Sequence, residues 1–276
     1  MDNSRQEALL LYNTRAMNHK PQTMNKRPTT SWQQVSKWYD KLVGDKGQYY
    51  HQHVVIPGVL KLLSLDDRSR LLDIACGQGI LSRSIAKQVE YAGFDIAPDL
   101  ISSAKKLDKN PKHGFHVADA TKQFPIGNRL FSHAACILAL QNIEFPDPVI
   151  EQVSAHLEKN GTFVIVLNHP AFRIPRQSSW GIDEQNKLQY RKVNRYLSPL
   201  KIPITAHPGQ KHSAVTWSFH NPISYYVSLL AKHGFFINAM EEWASDKESQ
   251  QGKSAKMENR SRAEIPLFLA IRAKKM

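Results

Sequence analysis

Between Arg70 and Leu167, short apolar runs of strand length alternate with segments whose apolar residues recur every three or four positions. The strand-like runs are Arg70–Ala75, Tyr91–Ile96, Gly114–Ala118, Leu130–Leu140 and Thr162–Leu167. Between them, Leu81, Ile85 and Val89 are spaced by four, Pro98–Leu107 opens on a proline, and Val149, Val153 and Leu157 share one side of Pro148–Lys159. This alternation predicts a parallel sheet with helical crossovers, because each connection is too long for a hairpin and suits a helix. The expected fold class is α/β, a doubly wound, mostly parallel sheet of Rossmann-like form. Near the end, Ser224–His233 reads as a helix stopped by Gly234. Phe235–Met240 and Pro266–Ala273 read as strands joined by a polar loop, a pair that could be antiparallel.

The chain has 276 residues, ample for a sizeable core without disulfides or metals, and its two cysteines, Cys76 and Cys136, sit in apolar surroundings. No apolar run approaches the ~20 residues needed to cross a bilayer. A cytoplasmic protein, monomeric or homodimeric, without a membrane association and without a metal, is expected. The expected organisation is a polar arm at 1–30 followed by one domain at 31–276. Within it, 31–65 form a helical cap, 66–168 the core, 169–222 an insertion after the fifth strand, and 223–276 the last helix and strand pair.

Net charge is +13, and it is unevenly placed: residues 46–168 hold thirteen basic against twelve acidic residues, whereas 169–212 hold eight against two. That reads as a basic insertion rather than a uniformly basic protein. If Asp183–Leu197 forms a helix, Lys187, Arg191 and Arg195 make a stripe on it.

In an open parallel sheet, ligands bind beyond the carboxyl ends of the strands. There the first strand ends in Asp73-Ile-Ala-Cys-Gly77-Gln-Gly79, whose glycines allow close backbone approach. Asp95 stands at the second tip and Asp119 at the third. A carboxylate at the second tip can accept from both ribose hydroxyls and one at the third from an adenine amino group. A dinucleotide motif would need a third glycine where Ser82 stands, and Asp73 is awkward for a pyrophosphate but suits a cationic amino group.

Leu71–Gly79, Gly93–Ala97 and Ala118–Ala120 resemble the first three motifs of class I S-adenosylmethionine-dependent methyltransferases, closest to the type 11 group. The resemblance implies a seven-stranded sheet with an antiparallel last strand, S-adenosyl-L-methionine as cofactor and S-adenosyl-L-homocysteine as product. It places Asp73, Gly77 and Gly79 along the methionine portion, with Ala75 of the same motif also a cofactor contact. Asp95 is placed on the ribose, Asp119 and Ala120 at the adenine, and Ile96 against its ring. The fourth-strand tip, from Cys136 to Gln141, borders the sulfonium, with Cys136 a small buried residue rather than a nucleophile. Trp38-Tyr39 and Tyr49-Tyr50 are expected to cover the site from the N-terminal side, Tyr39 on the cofactor and Tyr50 on the substrate.

For the substrate side, His169 at the fifth strand tip is ranked first as base, ahead of His51, His53 and His220. Gln141, Arg173 and Arg176 are the expected substrate contacts, since Arg can clamp a carboxylate or phosphate with two bonds. The expected function is methyl transfer to an O, N or S atom of a small anionic or aromatic metabolite. The alternatives are an RNA acceptor bound by the basic insertion and a cofactor-binding protein without catalysis.

Overall fold

In a computed structural model, residues 32–36, 43–44, 47–205 and 215–276 are described. Thus Trp38, Tyr39 and the arm at 1–30 lie outside the described residues. The central sheet has seven strands in the order β10-β11-β5-β4-β1-β2-β3. These are β1 (Arg70–Ile74), β2 (Glu90–Asp95), β3 (His113–Val117), β4 (Phe131–Ile137), β5 (Leu157–Asn168), β10 (Phe235–Trp243) and β11 (Phe268–Lys275). β11 runs antiparallel to both β5 and β10, while β1 to β5 pair in parallel. The last strand in sequence is therefore the antiparallel one, inserted between its two predecessors.

Strand alternation divides the core between two faces. Leu72, Ile74, Phe94, Phe163 and Ile165 point to one, where α3 (Asp147–His156) and α4 (Ile223–Lys232) bring Val149, Val153, Leu229 and Leu230. Leu71, Tyr91, Val164 and Val166 point to the other, where α1 (Ile56–Leu63) and α2 (Pro98–Leu107) bring Val59, Leu62, Leu63 and Ile101. Burial on both faces explains why the strands read as continuous apolar runs instead of alternating ones. A single π-type turn, His51–Val55, leads into α1.

Three elements differ from the sequence reading. Between β1 and β2 there is no α-helix, only a 3-10 turn at Ser82–Ser84. Ala75, Gly77 and Gly79 all have positive φ, 54°, 55° and 75°, so the chain leaves β1 in a left-handed coil that cannot start a helix. Asp183–Leu197 is likewise not a helix. Ser178–Asp183 (β6) and Leu188–Val193 (β7) form an antiparallel hairpin. The two-residue alternation of Leu188, Tyr190 and Lys192 wins over the four-residue spacing of the cations. The hairpin's turn is held by Asp183, whose carboxylate accepts from the Asn186 backbone at 3.0 Å and from its amide at 2.8 Å. The polar loop before β11 contains a helix, α5 (Ala255–Glu264). A second hairpin, β8 (Leu200–Thr205) with β9 (Val215–His220), completes the segment after β5.

Candidate active site

Strand order reverses between β1 and β4, and beyond their carboxyl ends lies a cleft of about 550 Å³. Its walls come from the β1, β2, β3, β4 and β5 tips, from Tyr50 and His51, and from the β8–β9 hairpin. Among the described residues, no helix is long and apolar enough to cross a membrane and no group of three or more His, Cys, Asp or Glu is placed to hold a metal.

One end is organised by Asp95. Its Oδ2 accepts the Gly77 backbone N–H at 3.1 Å and its Oδ1 that of Ala97 at 2.9 Å, tying the glycine loop to the β2 tip. Burial raises its pKa, while these amides pull it down. Each oxygen keeps a lone pair for a ligand. Ile96 beside it is 43% exposed and lines the cleft. Asp119 uses Oδ1 to cap its own turn, accepting from Thr121 N–H at 2.9 Å and from its hydroxyl at 2.7 Å. It shares this end with Ala75, Gly77 and Ala120. This turn role leaves Oδ2 without a hydrogen bond from any described residue.

Asp73 is buried beneath this end and does not line the cleft; its Oδ2 accepts from the Tyr91 hydroxyl at 2.7 Å. Burial, with a smaller push from Asp95, raises its pKa to about 7. Gly79 also stays below the surface: a Cβ there would meet Ser82, Phe115 and Ala104 at 3.0 to 3.4 Å. Cys136 is fully buried and its thiol pKa is pushed far up by burial, consistent with a packing residue and not a nucleophile.

The other end departs most from expectation. His169 is buried outside the cleft: Nδ1 accepts from the Ala171 backbone at 3.2 Å and Nε2 donates to Glu242 at 2.6 Å. Both ring nitrogens are occupied, so the base expected there is absent. Alternation along β5 places Asn168, one residue earlier, at the cleft instead. Arg176 does not line the cleft either, whereas Arg173 does. Arg191 is committed elsewhere, its guanidinium 5.2 Å from the Trp180 ring and its Nε donating to the Phe172 carbonyl at 2.7 Å. His220 bonds the Tyr196 carbonyl at 2.6 Å and His53 stacks on Tyr49 with ring centroids 4.3 Å apart.

Tyr50 lines the cleft, its hydroxyl 3.0 Å from Ser245 Oγ. Neighbouring His51 is 7% exposed and lines the cleft, and its buried Nδ1 has no hydrogen-bond partner among the described residues; burial lowers its pKa. Gln141 is 8% exposed, donates from Nε2 to the Leu138 carbonyl at 2.9 Å, and leaves Oε1 unpartnered. Ser218 and Ile204, from the second hairpin, were not singled out by the sequence reading; the alternation of Thr216, Ser218 and His220 was the signal for Ser218.

A mostly parallel seven-stranded sheet with its last strand reversed, and a nucleoside-sized cleft at its switch point, define the methyltransferase class. A family model described as a methyltransferase domain matches residues 48–202, more than half of the chain, which therefore belongs to that family. Two curated relatives are the ubiquinone biosynthesis O-methyltransferase of Hydrogenovibrio crunogenus, 25% identical over 143 residues, and the dTDP-3-amino-3,6-dideoxy-alpha-D-glucopyranose N,N-dimethyltransferase of Streptomyces fradiae, 26% identical over 137. These alignments span 49% and 48% of this chain and 58% and 52% of the relatives, less than two thirds of either relative's length. A crystal structure of an S-adenosylmethionine-dependent methyltransferase from Mesorhizobium loti superposes with a TM-score of 0.64 at 22% identity, over 84% of this chain and all of that one. S-Adenosylmethionine is the cofactor to which these findings point, and the free acceptor positions of Asp95 and Asp119 fit its nucleoside.

Proposed function

We propose that this chain is an S-adenosylmethionine-dependent methyltransferase acting on an O, N or S atom of a small anionic or aromatic metabolite. The carrying observation is the division of one cleft into an acid-lined nucleoside end and an end built from Gln141, Asn168, Arg173 and Ser218. At the first end, Asp95 holds the ribose, Asp119 and Ala120 the adenine and Ile96 its face. Gly77 and Ala75 flank the methionine portion, and the buried Asp73 supplies negative charge beneath it. Bound there, the cofactor supplies an electrophilic methyl group on a positively charged sulfur.

The chain's own work is alignment and water exclusion. Tyr50 and His51 close the cleft from one side, Ser218 and Ile204 from the other. His51 takes the acceptor's proton, because its Nδ1 has no partner among the described residues and its lowered pKa keeps the ring neutral at pH 7. The direct test incubates the protein with methyl-tritiated S-adenosylmethionine and a cell extract, and counts small molecules, RNA and protein separately. Label in the small-molecule fraction is expected; label in RNA would replace the metabolite with a nucleic acid.

A further inference from the structure

Behind the acceptor end a side chamber of about 30 Å³ opens, and Gln141, Asn168, Arg173 and Ser218 line both it and the main cleft. None of the nucleoside-end residues lines the chamber. The groups around it therefore face something other than the nucleoside.

Two features of this end specify a ligand. The first is the fixed polarity of Gln141. Its Nε2 donates to the Leu138 carbonyl, which pins the amide so that Oε1 is the free atom; it is buried and unpartnered. Leu138 itself has φ of 53°, a conformation costly for a branched residue and retained where the surroundings impose it. An unmet buried carbonyl calls for a donor, O–H or N–H, from the ligand.

The second is Arg173. Its side chain is open to the cleft and makes no hydrogen bond or ion pair with any described residue. Arg191 adds like charge nearby, and the cleft walls partly desolvate the guanidinium. A cation in that position attracts an anion, and guanidinium geometry matches a carboxylate through two parallel bonds. Leu267, Phe268, Pro175 and Ile204 supply apolar wall around these two groups.

We infer that the acceptor is a small aromatic carboxylate bearing a hydroxyl or amino group, its carboxylate on Arg173 and its O–H or N–H held by Gln141 Oε1 before reaction; as the methyl group moves from sulfur to the acceptor atom, that proton passes from Gln141 to the His51 ring. This rests on the methyltransferase reading above and narrows its substrate class. The carboxylate is thereby the handle and not the atom methylated, so the product keeps its negative charge.

The test uses the full chain saturated with S-adenosylhomocysteine, titrated calorimetrically with the isomeric hydroxybenzoates and aminobenzoates, and with phenol, aniline and benzoate as probes lacking one group. At least one two-group probe should bind tenfold or more tightly than its one-group counterparts, and Arg173→Gln should remove that advantage while S-adenosylhomocysteine affinity stays within threefold. Gln141→Leu should remove the advantage over benzoate alone. No preference for the two-group probes overturns the inference. Loss of S-adenosylhomocysteine affinity in Arg173→Gln also overturns it, because Arg173 would then serve the cofactor's own carboxylate. Failure of the wild-type chain to bind S-adenosylhomocysteine would instead sink the methyltransferase reading. As an independent readout, the labelled small-molecule product of the extract assay should be retained on an anion exchanger at pH 7 and released near pH 2; a neutral product overturns the inference.

Discussion

The Tyr91 hydroxyl donates to Asp73 Oδ2 at 2.7 Å in the interior of the sheet, and no cation among the described residues pairs with that carboxylate. One neutral hydrogen bond does not offset the burial of a charge, so its pKa rises from 3.8 to about 7. Stability linked to this group is complete below pH 3.8 and declines as pH rises to about 7, by up to about 4 kcal/mol. Asp73→Asn should therefore melt higher than wild type at pH 8 and level with it near pH 4, by calorimetry without cofactor. An equal shift at both pH values would contradict this.

A cationic ligand beside Asp73 reverses the sense of that titration. S-Adenosylhomocysteine, which carries an ammonium group, should bind severalfold more tightly at pH 8 than at pH 6 to wild type. Asp73→Asn should flatten that dependence, as read by titration calorimetry.

Asp95 accepts amides from two elements and keeps lone pairs free toward the cleft. Asp95→Ala should lower S-adenosylhomocysteine affinity by roughly 10- to 150-fold, the equivalent of one charged hydrogen bond or more at 1.5–3 kcal/mol. Circular dichroism should show an intact sheet. Unchanged affinity would move the nucleoside away from the β2 tip.

His51→Ala should reduce kcat for a hydroxyl acceptor by about 10²- to 10⁴-fold, the usual worth of a positioned base. Because burial lowers the His51 pKa below 6.5, wild-type kcat/KM for the acceptor, measured with S-adenosylmethionine saturating at every pH so that the Asp73 titration does not enter, should hold across neutral pH and fall only on the acid side of 6.5, through protonation. Asp95, Asp119 and Arg173 line the same cleft, so the acid limb has to disappear in His51→Ala to be assigned to this ring.

Gly58 of α1 faces the Trp243 ring: an added Cβ would lie 2.4–2.8 Å from its carbons, and the indole is anchored by Nε1 donating to Glu241 Oε2 at 2.9 Å. Gly58→Ala gains about 1 kcal/mol of helix propensity but forces overpacking that costs about 1–3 kcal/mol. A lower melting temperature is expected, and a higher one would show that the ring yields.

The acid-lined end of the cleft, which we assign to the nucleoside, was legible in the sequence because it is built locally. Asp95, Ile96, Asp119, Ala120, Ala75 and Gly77 each follow directly from a strand's end, and a strand's end in a parallel sheet faces the ligand. The acceptor end was not, because alternation and long-range packing decide it. His169 and Asn168 are adjacent in sequence, and a single step along β5 sends one into the protein beside Glu242 and the other to the cleft.

What the sequence alone determined is the doubly wound sheet and the acids at its tips, since apolar period and strand-end position are local properties that burial on two faces enforces; the reversed last strand was implied by the resemblance of the motifs to a family. Only the tertiary structure decided which side chains have partners. His51 and Gln141 come to the cleft from segments ninety residues apart and keep free acceptor atoms, while His169 and Arg191 spend donors on Glu242 and the Phe172 carbonyl. A hydrogen bond is made or missed over a few tenths of an ångström, and that distance is set by packing between distant elements.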